Sequence, residues 1–439
     1  MEISVFGLGY VGTVCAGCFA SDGHRVIGVD VNAAKVESMN SGVAPIVEPR
    51  LPEMFSAAHA AGLLSATTSA HDAIQATSIS LVCVGTPSQA NGNLDLVYMR
   101  EVCREIGAAL KDKTSPTRHL VVLRSTMLPG ATEDLLIPIM EESSGKKAGV
   151  DFDVCYNPEF LREGTSVEDF YAPPKIVVGE ITPGSGDALL ALYAGIDAPV
   201  IRTAVRVAEM AKYCDNVFHA LKVSFANEIG NVCKRMGVDS HDVMAVFCQD
   251  KKLNLSPAYL KPGFSFGGSC LPKDLRALTY QSRQFDLKSP VLNAIIESNV
   301  AQTQMGIQLI TSLGKKRIGF LGMAFKPDTD DMRESPLVEL IETLVGKGYG
   351  IRIYDKNVST SRLLGANRKF IEEHIPHLSA LLTTDIATVT SESEVIVLGY
   401  KSPEFKHAIR SLKPEQVVVD LARAAAPTDT AARYEGICW

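Results

Sequence analysis

Nowhere in its 439 residues does the chain present the roughly 20 consecutive apolar positions that a membrane-crossing helix needs. It also lacks an excess of positive charge: 43 Lys and Arg against 50 Asp and Glu leave a net charge of −7. That balance argues against nucleic acid or an anionic membrane as partner, so an anionic ligand must be met by local basic residues. The ten cysteines show no framework spacing, which suits a reducing cytoplasm better than an oxidising compartment. No apolar leader precedes the first strand, and a signal peptide is not expected. Apolar residues make up 46% of the chain, ample for substantial cores, and the length suggests two or three domains.

The first motif is Gly7-Leu8-Gly9-Tyr10-Val11-Gly12, preceded by the apolar run Ile3–Phe6 and followed by a helical pattern from Thr13 to about Ser21. A second buried strand, Arg25–Val29, then ends in Asp30. Each part has a mechanical purpose. Gly7 permits a tight turn, Gly9 lets the backbone approach a pyrophosphate, and Gly12 lets helix pack on strand. A carboxylate at Asp30 would accept hydrogen bonds from an adenosine ribose and repel a 2′-phosphate, favouring NAD over NADP. Cys15 and Cys18 form a CxxC inside this helix, but no second pair accompanies them and their neighbours read as packing.

Two further strand-like runs, Ile79–Val84 and His119–Leu123, end in polar turns containing Thr86 and Thr126. Ligands of open parallel sheets sit at such carboxyl ends, so both threonines would face the cofactor, unless they merely start turns.

The most informative stretch is Phe266-Gly267-Gly268-Ser269-Cys270-Leu271-Pro272-Lys273-Asp274. Glycines strip away the side chains that would bury Cys270, while a helix N-terminus and Lys273 would favour its thiolate. A covalent cysteine step joined to dinucleotide chemistry follows; the alternative is a structural cysteine in a glycine turn.

From Arg206 to about Met236 the pattern is continuously helical, roughly 45 Å long at 1.5 Å per residue. Lys212, Asn216, His219 and Asn227 fall on one sector of it. A polar stripe in an apolar helix suggests a lined cleft; a solvated face is the alternative. The last third echoes the first: Lys316–Leu321 runs as a strand into a turn at Gly322, Gly350–Tyr354 ends in Asp355, and Glu394–Leu398 and Gln416–Asp420 resemble the third and fourth strands of the first region. No GxGxxG accompanies them, so this unit should bind something other than a dinucleotide, and Lys326 and Arg333 would suit a phosphate. The acidic run Asp328-Thr329-Asp330-Asp331 reads as a solvated loop before a Ser335-Pro336 helix start rather than a metal site. No metal is expected.

The glycine turn, Gly85-Thr86-Pro87, Asn157-Pro158-Glu159-Phe160-Leu161-Arg162-Glu163-Gly164, the Lys212 helix, the Cys270 motif and Phe325-Lys326-Pro327 occur in one order. That series resembles the nucleotide-sugar 6-dehydrogenases, the UDP-glucose/GDP-mannose dehydrogenase family, over essentially the whole chain. Cys248-Gln249-Asp250, Lys252–Ser256, Gly145–Asp151 and Glu435–Trp439 resemble its GDP-mannose branch. Ala258-Tyr259-Leu260-Lys261 departs from that branch's Tyr-Tyr-Met-Arg, and lysine loses arginine's bidentate fork.

The resemblance implies an α/β fold with two Rossmann-like, doubly wound parallel-sheet domains, joined by a long central helix and a helical dimerisation region. Residues 1–203 would bind NAD, 204–300 would dimerise, and 301–439 would bind the nucleotide sugar. It implies a four-electron oxidation of GDP-mannose to GDP-mannuronate with two NAD, on a route toward alginate, in a homodimer or higher assembly. Cys270 would be the nucleophile, with Lys212 and Asn216 stabilising the oxyanion and Glu163 and Asp274 handling water, supported by Thr126 and Glu159. Gly7, Gly9, Tyr10, Val11, Gly12, Asp30, Lys35, Thr86, Thr126, Lys273 and Arg333 would contact the cofactor. Glu163, Lys212, Asn216, His219, Asn227, Tyr259, Lys261, Phe264, Gly267 and Lys326 would contact the sugar nucleotide. UDP-glucose oxidation by the same route, or a silent nucleotide-sugar sensor, are the competing functions; a sensor would not require Cys270, Lys212, Glu163 and Asp274 together.

Overall fold

The computed structural model describes every residue except 116, 252–258, 288, 325–328, 330, 331 and 359–379, and lacks a description of the side chains at 228, 232 and 235. Lys326, Ala258, the Lys252–Ser256 motif and three positions of the acidic run therefore lie outside the described residues. The chain divides into two compact units, Met1–Asp215 and Asn216–Trp439.

In the first unit the strands are β1 Glu2–Phe6, β2 Arg25–Val29, β3 Leu64–Thr67, β4 Ile79–Val82, β5 His119–Leu123, β6 Phe152–Tyr156, β7 Ile176–Glu180 and β8 Val200–Ala204. They form one sheet in the order β3-β2-β1-β4-β5-β6-β7-β8. All neighbours run parallel except β6 and β7. Ile3 pairs with Val26 on one side and Ile79 on the other, so the strand order reverses direction at β1 and β4. Ligand crevices of doubly wound sheets open at that point.

Helices cover both faces of such a sheet, so its central strands read as continuous apolar runs rather than alternations. Every residue of β4 and β5 is buried. Each large aliphatic or aromatic side chain taken from water there contributes about 1.5–3 kcal/mol. Ser4 is the polar exception in β1, and it is satisfied inside the sheet: its Oγ lies 2.7 Å from Ser80 Oγ, which lies 2.7 Å from His119 Nε2.

The first helix runs from Tyr10 to Ser21, three residues earlier than the Thr13 expected from the apolar pattern. The glycine turn ends at Gly9, which is extended (φ −81°, ψ −163°) and caps the helix. Gly12 therefore lies in the first turn, where an added Cβ would collide with the Gly7 carbonyl oxygen.

The second unit repeats the plan with β9 Arg317–Leu321, β10 Gly350–Tyr354, β11 Leu382–Thr383, β12 Val395–Leu398, β13 Val417–Asp420 and β14 Arg433–Gly436. Among the described residues they form a wholly parallel sheet, β11-β10-β9-β12-β13-β14. The expected echo is physical. Gly322 turns after β9 at φ +91°, the value of Gly7 after β1. Asp355, after β10, accepts from the amides of Met323 and Ala324 at 2.7 and 2.9 Å, as Asp30 accepts from Leu8 at 2.8 Å.

One helix of 32 residues, Val205–Met236, spans the boundary between the units. Among the described residues no helix is long and apolar enough to cross a membrane.

Candidate active site

At the fingerprint, the carboxylate of Asp30 fastens the turn. Its oxygens accept from the amides of Leu8 and Asn32, and Lys35 Nζ lies 3.3 Å away. Gly7 occupies the left-handed region at φ +91°, and a Cβ there would press on Val84 at 2.9 Å. A Cβ on Gly9 would meet no protein atom within 4 Å. That opening lies beside a helix N-terminus with no acidic residue in its first turn. A diphosphate fits such a place, since the first N–H groups of a helix have no partners within it. NAD bound here would be held by these amides and by Asp30. In the second unit the Tyr400 ring stands against Gly322, as Val84 stands against Gly7, and the Tyr400 hydroxyl lies 3.2 Å from Asp355 Oδ1.

Thr86 and Thr126, expected to face the cofactor, are brought together by adjacent strands β4 and β5. Both are buried, and Thr86 Oγ1 donates to the Thr126 carbonyl at 2.9 Å.

The Asn157–Gly164 segment follows β6 and is fastened at each end. Asn157 accepts from the buried Arg124 and donates to the Val177 carbonyl at 2.7 Å. Glu159 is almost wholly enclosed, 2.9 Å from Lys212 Nζ, with side-chain exposures of 8% and 5% for the pair. Burial would push the Glu159 carboxyl up, but Lys212 and the Leu161 amide outweigh it and hold it below its ordinary value. The Lys212 ammonium also lies 5.6 Å from the centre of the Phe160 ring. Lys212 on the stripe is thus buried rather than solvated, and so are Asn216 and Asn227; His219 is half-buried.

Two positioning residues were not anticipated. Glu48, 3% exposed, receives the amides of Gly164 and Ser166 at 2.9 and 2.8 Å and the hydroxyl of Tyr10. Burial and this carboxylate hold the Tyr10 phenol far above its ordinary value. Glu48 thereby ties the fingerprint helix to the loop bearing the half-buried Glu163. Its partners are too distant in sequence for local pattern to reveal it. Glu209, fully buried, accepts from the amides of Gly130 and Thr132 at 2.7 and 3.0 Å, and burial raises its carboxyl. It stands three residues before Lys212, a spacing that helical periodicity could have flagged.

In the second unit Cys270 is exposed and caps the helix Leu271–Gln284, with Ser269 Oγ 3.8 Å from its sulfur. Gly268 adopts φ +84°. A Cβ on Gly267 would strike the Glu334 carbonyl oxygen and Pro336, so the glycine pair lets two segments approach closely. Arg276 on the same helix grips Glu334 bidentately at 2.5 and 2.6 Å, next to Arg333. Asp274, fully buried, accepts from Asn216 Nδ2 and lies 3.4 Å from Lys273 Nζ. The sequence-predicted Asn216, Lys273 and Asp274 are therefore in one cluster.

His219 stacks on Tyr259 with ring centres 4.8 Å apart. Tyr259 sits at φ +63°, a region most side chains avoid. Asn227 accepts from the Gly263 amide at 2.8 Å and donates to the Phe264 carbonyl at 3.1 Å. Lys261 is exposed. Cys15 and Cys18 are both buried in apolar core, and none of the ten cysteines is disulfide-bonded.

Models of the UDP-glucose/GDP-mannose dehydrogenase family match along the chain: its NAD binding domain at 1–197, its central domain at 206–301 and its UDP binding domain at 319–427. A GDP-mannose 6-dehydrogenase of Pseudomonas putida is 52% identical, covering 100% of both chains. Among solved structures, a ternary complex of GDP-mannose dehydrogenase from Pseudomonas aeruginosa is 52% identical with a TM-score of 0.58, covering 100% of both chains. A UDP-glucose dehydrogenase from Pyrobaculum islandicum is 37% identical with a TM-score of 0.88, over 100% of this chain and 97% of that one.

Proposed function

This chain belongs to the UDP-glucose/GDP-mannose dehydrogenase family, and we propose that it oxidises C6 of GDP-mannose to a carboxylate. Two NAD+ and one water are consumed; two NADH and three protons accompany GDP-mannuronate. The observation that carries the four-electron reading is the exposed Cys270 at a helix N-terminus. A dehydrogenase that stopped at the aldehyde would need no thiol.

NAD, held at the glycine turn and Asp30, would supply the hydride acceptor for C6 in each of two rounds, and the O6 proton leaves to water in each. The Cys270 sulfur adds to the aldehyde carbon left by the first round, and the carbonyl oxygen takes a proton, giving a thiohemiacetal. The second round leaves a thioester. Water adds to its carbonyl, the C–S bond breaks, and the thiolate and the uronic acid are released. Lys212 stabilises the oxyanion, helped by Asn216. Glu163 and Asp274 orient and deprotonate the water, with Glu159 and Thr126 supporting them.

Tyr10, Val11, Asp30, Lys35, Thr86, Thr126, Lys273 and Arg333 serve the cofactor. His219, Asn227, Tyr259, Lys261, Phe264, Gly267 and Lys326 serve the sugar nucleotide. Residues 1–203, 204–300 and 301–439 act as cofactor, dimerisation and sugar-nucleotide regions. Exposed Phe218, Phe225 and Val246 on the central helices support self-association. Ten cysteines without a disulfide support a cytoplasmic setting. The product would feed an alginate-type polysaccharide.

UDP-glucose oxidation by the same steps is the second reading, favoured by the TM-score of 0.88 to a UDP-glucose dehydrogenase. NADH yield from a limiting, known amount of GDP-mannose, with UDP-glucose in parallel, separates them. Two NADH per GDP-mannose and little from UDP-glucose is the expected result. One NADH per sugar would refute the thioester route, and turnover of UDP-glucose alone would refute the substrate.

A further inference from the structure

The segment Gly436–Trp439 has no part in the mechanism above, yet its side chains and backbone are held by several groups of the second unit. Ser240 Oγ donates to the Cys438 carbonyl at 2.8 Å, and Trp439 Nε1 donates to Tyr434 Oη at 3.0 Å. The Cys438 side chain is fully buried, and burial pushes its thiol up to about 11, so it stays protonated and able to donate. Its sulfur accepts from Gln302 Nε2 at 3.3 Å, and its one proton is shared between the Gly263 carbonyl oxygen at 3.6 Å and Asn231 Oδ1 at 3.5 Å. Gln302, 2% exposed, donates to that same oxygen at 2.5 Å. Gln302 is oriented in turn by Asn231, whose Nδ2 donates to Gln302 Oε1 at 2.8 Å.

The consequence falls on the backbone at Gly263 and Phe264. Asn227 holds the Gly263 N–H and the Phe264 carbonyl, and the Phe264 N–H donates to the Leu421 carbonyl at 3.0 Å. Gln302 and Cys438 hold the remaining carbonyl. All four main-chain polar groups of this dipeptide are thereby fixed by groups from separate elements. The packing allows no slack: a Cβ on Gly230 would lie 2.8 Å from Cys438 Cβ, and one on Gly306 would lie 2.6 Å from the Phe264 ring.

We propose that Gln302 and Cys438 are positioning residues for the sugar-nucleotide loop, holding the Gly263 carbonyl so that Lys261, Phe264 and Gly267 keep their places. This rests on the reading that those three residues meet the nucleotide sugar. The kind of ligand served is a nucleoside-diphosphate sugar, not the dinucleotide, whose fingerprint is in the other unit.

The test is steady-state kinetics of Gln302→Leu and Cys438→Ala in the full chain, using whichever nucleotide sugar the unaltered enzyme oxidises. That choice separates the substrate question from this one, because the unaltered enzyme decides it first. Loss of one hydrogen bond to the loop is expected to raise KM for the sugar roughly tenfold. The kcat should stay within about twofold and KM for NAD should not move, whereas general loosening would alter all three. Cys438→Ser, which keeps a donor toward Gly263, should recover most of the loss. An unchanged sugar KM, a matching rise in KM for NAD, or a Cys438→Ser variant as impaired as Cys438→Ala would each overturn the proposal. Cys438→Ala reads the same contact should Gln302→Leu not fold.

Discussion

Replacing Glu159 by glutamine tests whether the buried pair with Lys212 carries weight. The two groups stand 2.9 Å apart, almost wholly removed from water. At an effective dielectric of about 20 the attraction at that separation is about 6 kcal/mol. Glutamine keeps an oxygen for the Leu161 amide but takes away the carboxylate facing Lys212. Removing one partner from a buried pair costs about 3–5 kcal/mol, because the other charge is stranded away from water. In a unit of this size each kcal/mol moves the melting temperature by about 2–4 °C, so a fall of about 6–20 °C is expected at pH 7.

The pH dependence has a definite sign. The Glu159 carboxyl is held below its ordinary value, so its contribution is fully present above the unfolded value of about 4.3 and is lost as pH falls through the folded value. The gap between wild type and variant should therefore be widest near neutrality and narrow in acid. Scanning calorimetry of both proteins at pH 7 and in acid measures it. A difference under about 2 °C at pH 7, or one that does not change with pH, would refute the reasoning.

The two glycines of the fingerprint should fail differently. Gly9→Ala, facing open space at φ −81°, should leave stability within about 0.5 kcal/mol while weakening NAD at least about tenfold by calorimetric titration. Gly12→Ala drives a Cβ into the Gly7 carbonyl oxygen and should cost about 1–3 kcal/mol in denaturant unfolding. Cys270→Ala should bind NAD and nucleotide sugar normally yet form no uronate, checked by product analysis; undiminished uronate would remove the covalent step. Asp30→Asn lowers the repulsion toward a 2′-phosphate and should narrow the NAD over NADP preference in kcat/KM by about tenfold.

Much of the cofactor end was legible because its parts are contiguous. Strand, glycine turn, helix and Asp30 are consecutive, and each constrains the next, so spacing alone implied the turn that Leu8 and Asp30 close. The helix start was misplaced by three residues, because Tyr10 and Val11 already lie on it while the apolar pattern becomes regular only at Thr13. The polar stripe was visible as periodicity, but periodicity is the same for a buried and a solvated face. Burial of Lys212 against Glu159 decided between them.

What the chain order settles by itself is local: which runs become strands, where glycine must turn the backbone, and that Cys270 stands at the start of a helix. What folding alone decides is which distant groups share a charge or a hydrogen bond. Glu48 reaching Tyr10 and Gly164, Glu209 receiving Gly130 and Thr132, and Cys438 meeting Gly263 are all of that kind. A buried carboxylate or thiol is tolerable only where its partners converge, and those partners come from segments that meet when the sheets are assembled.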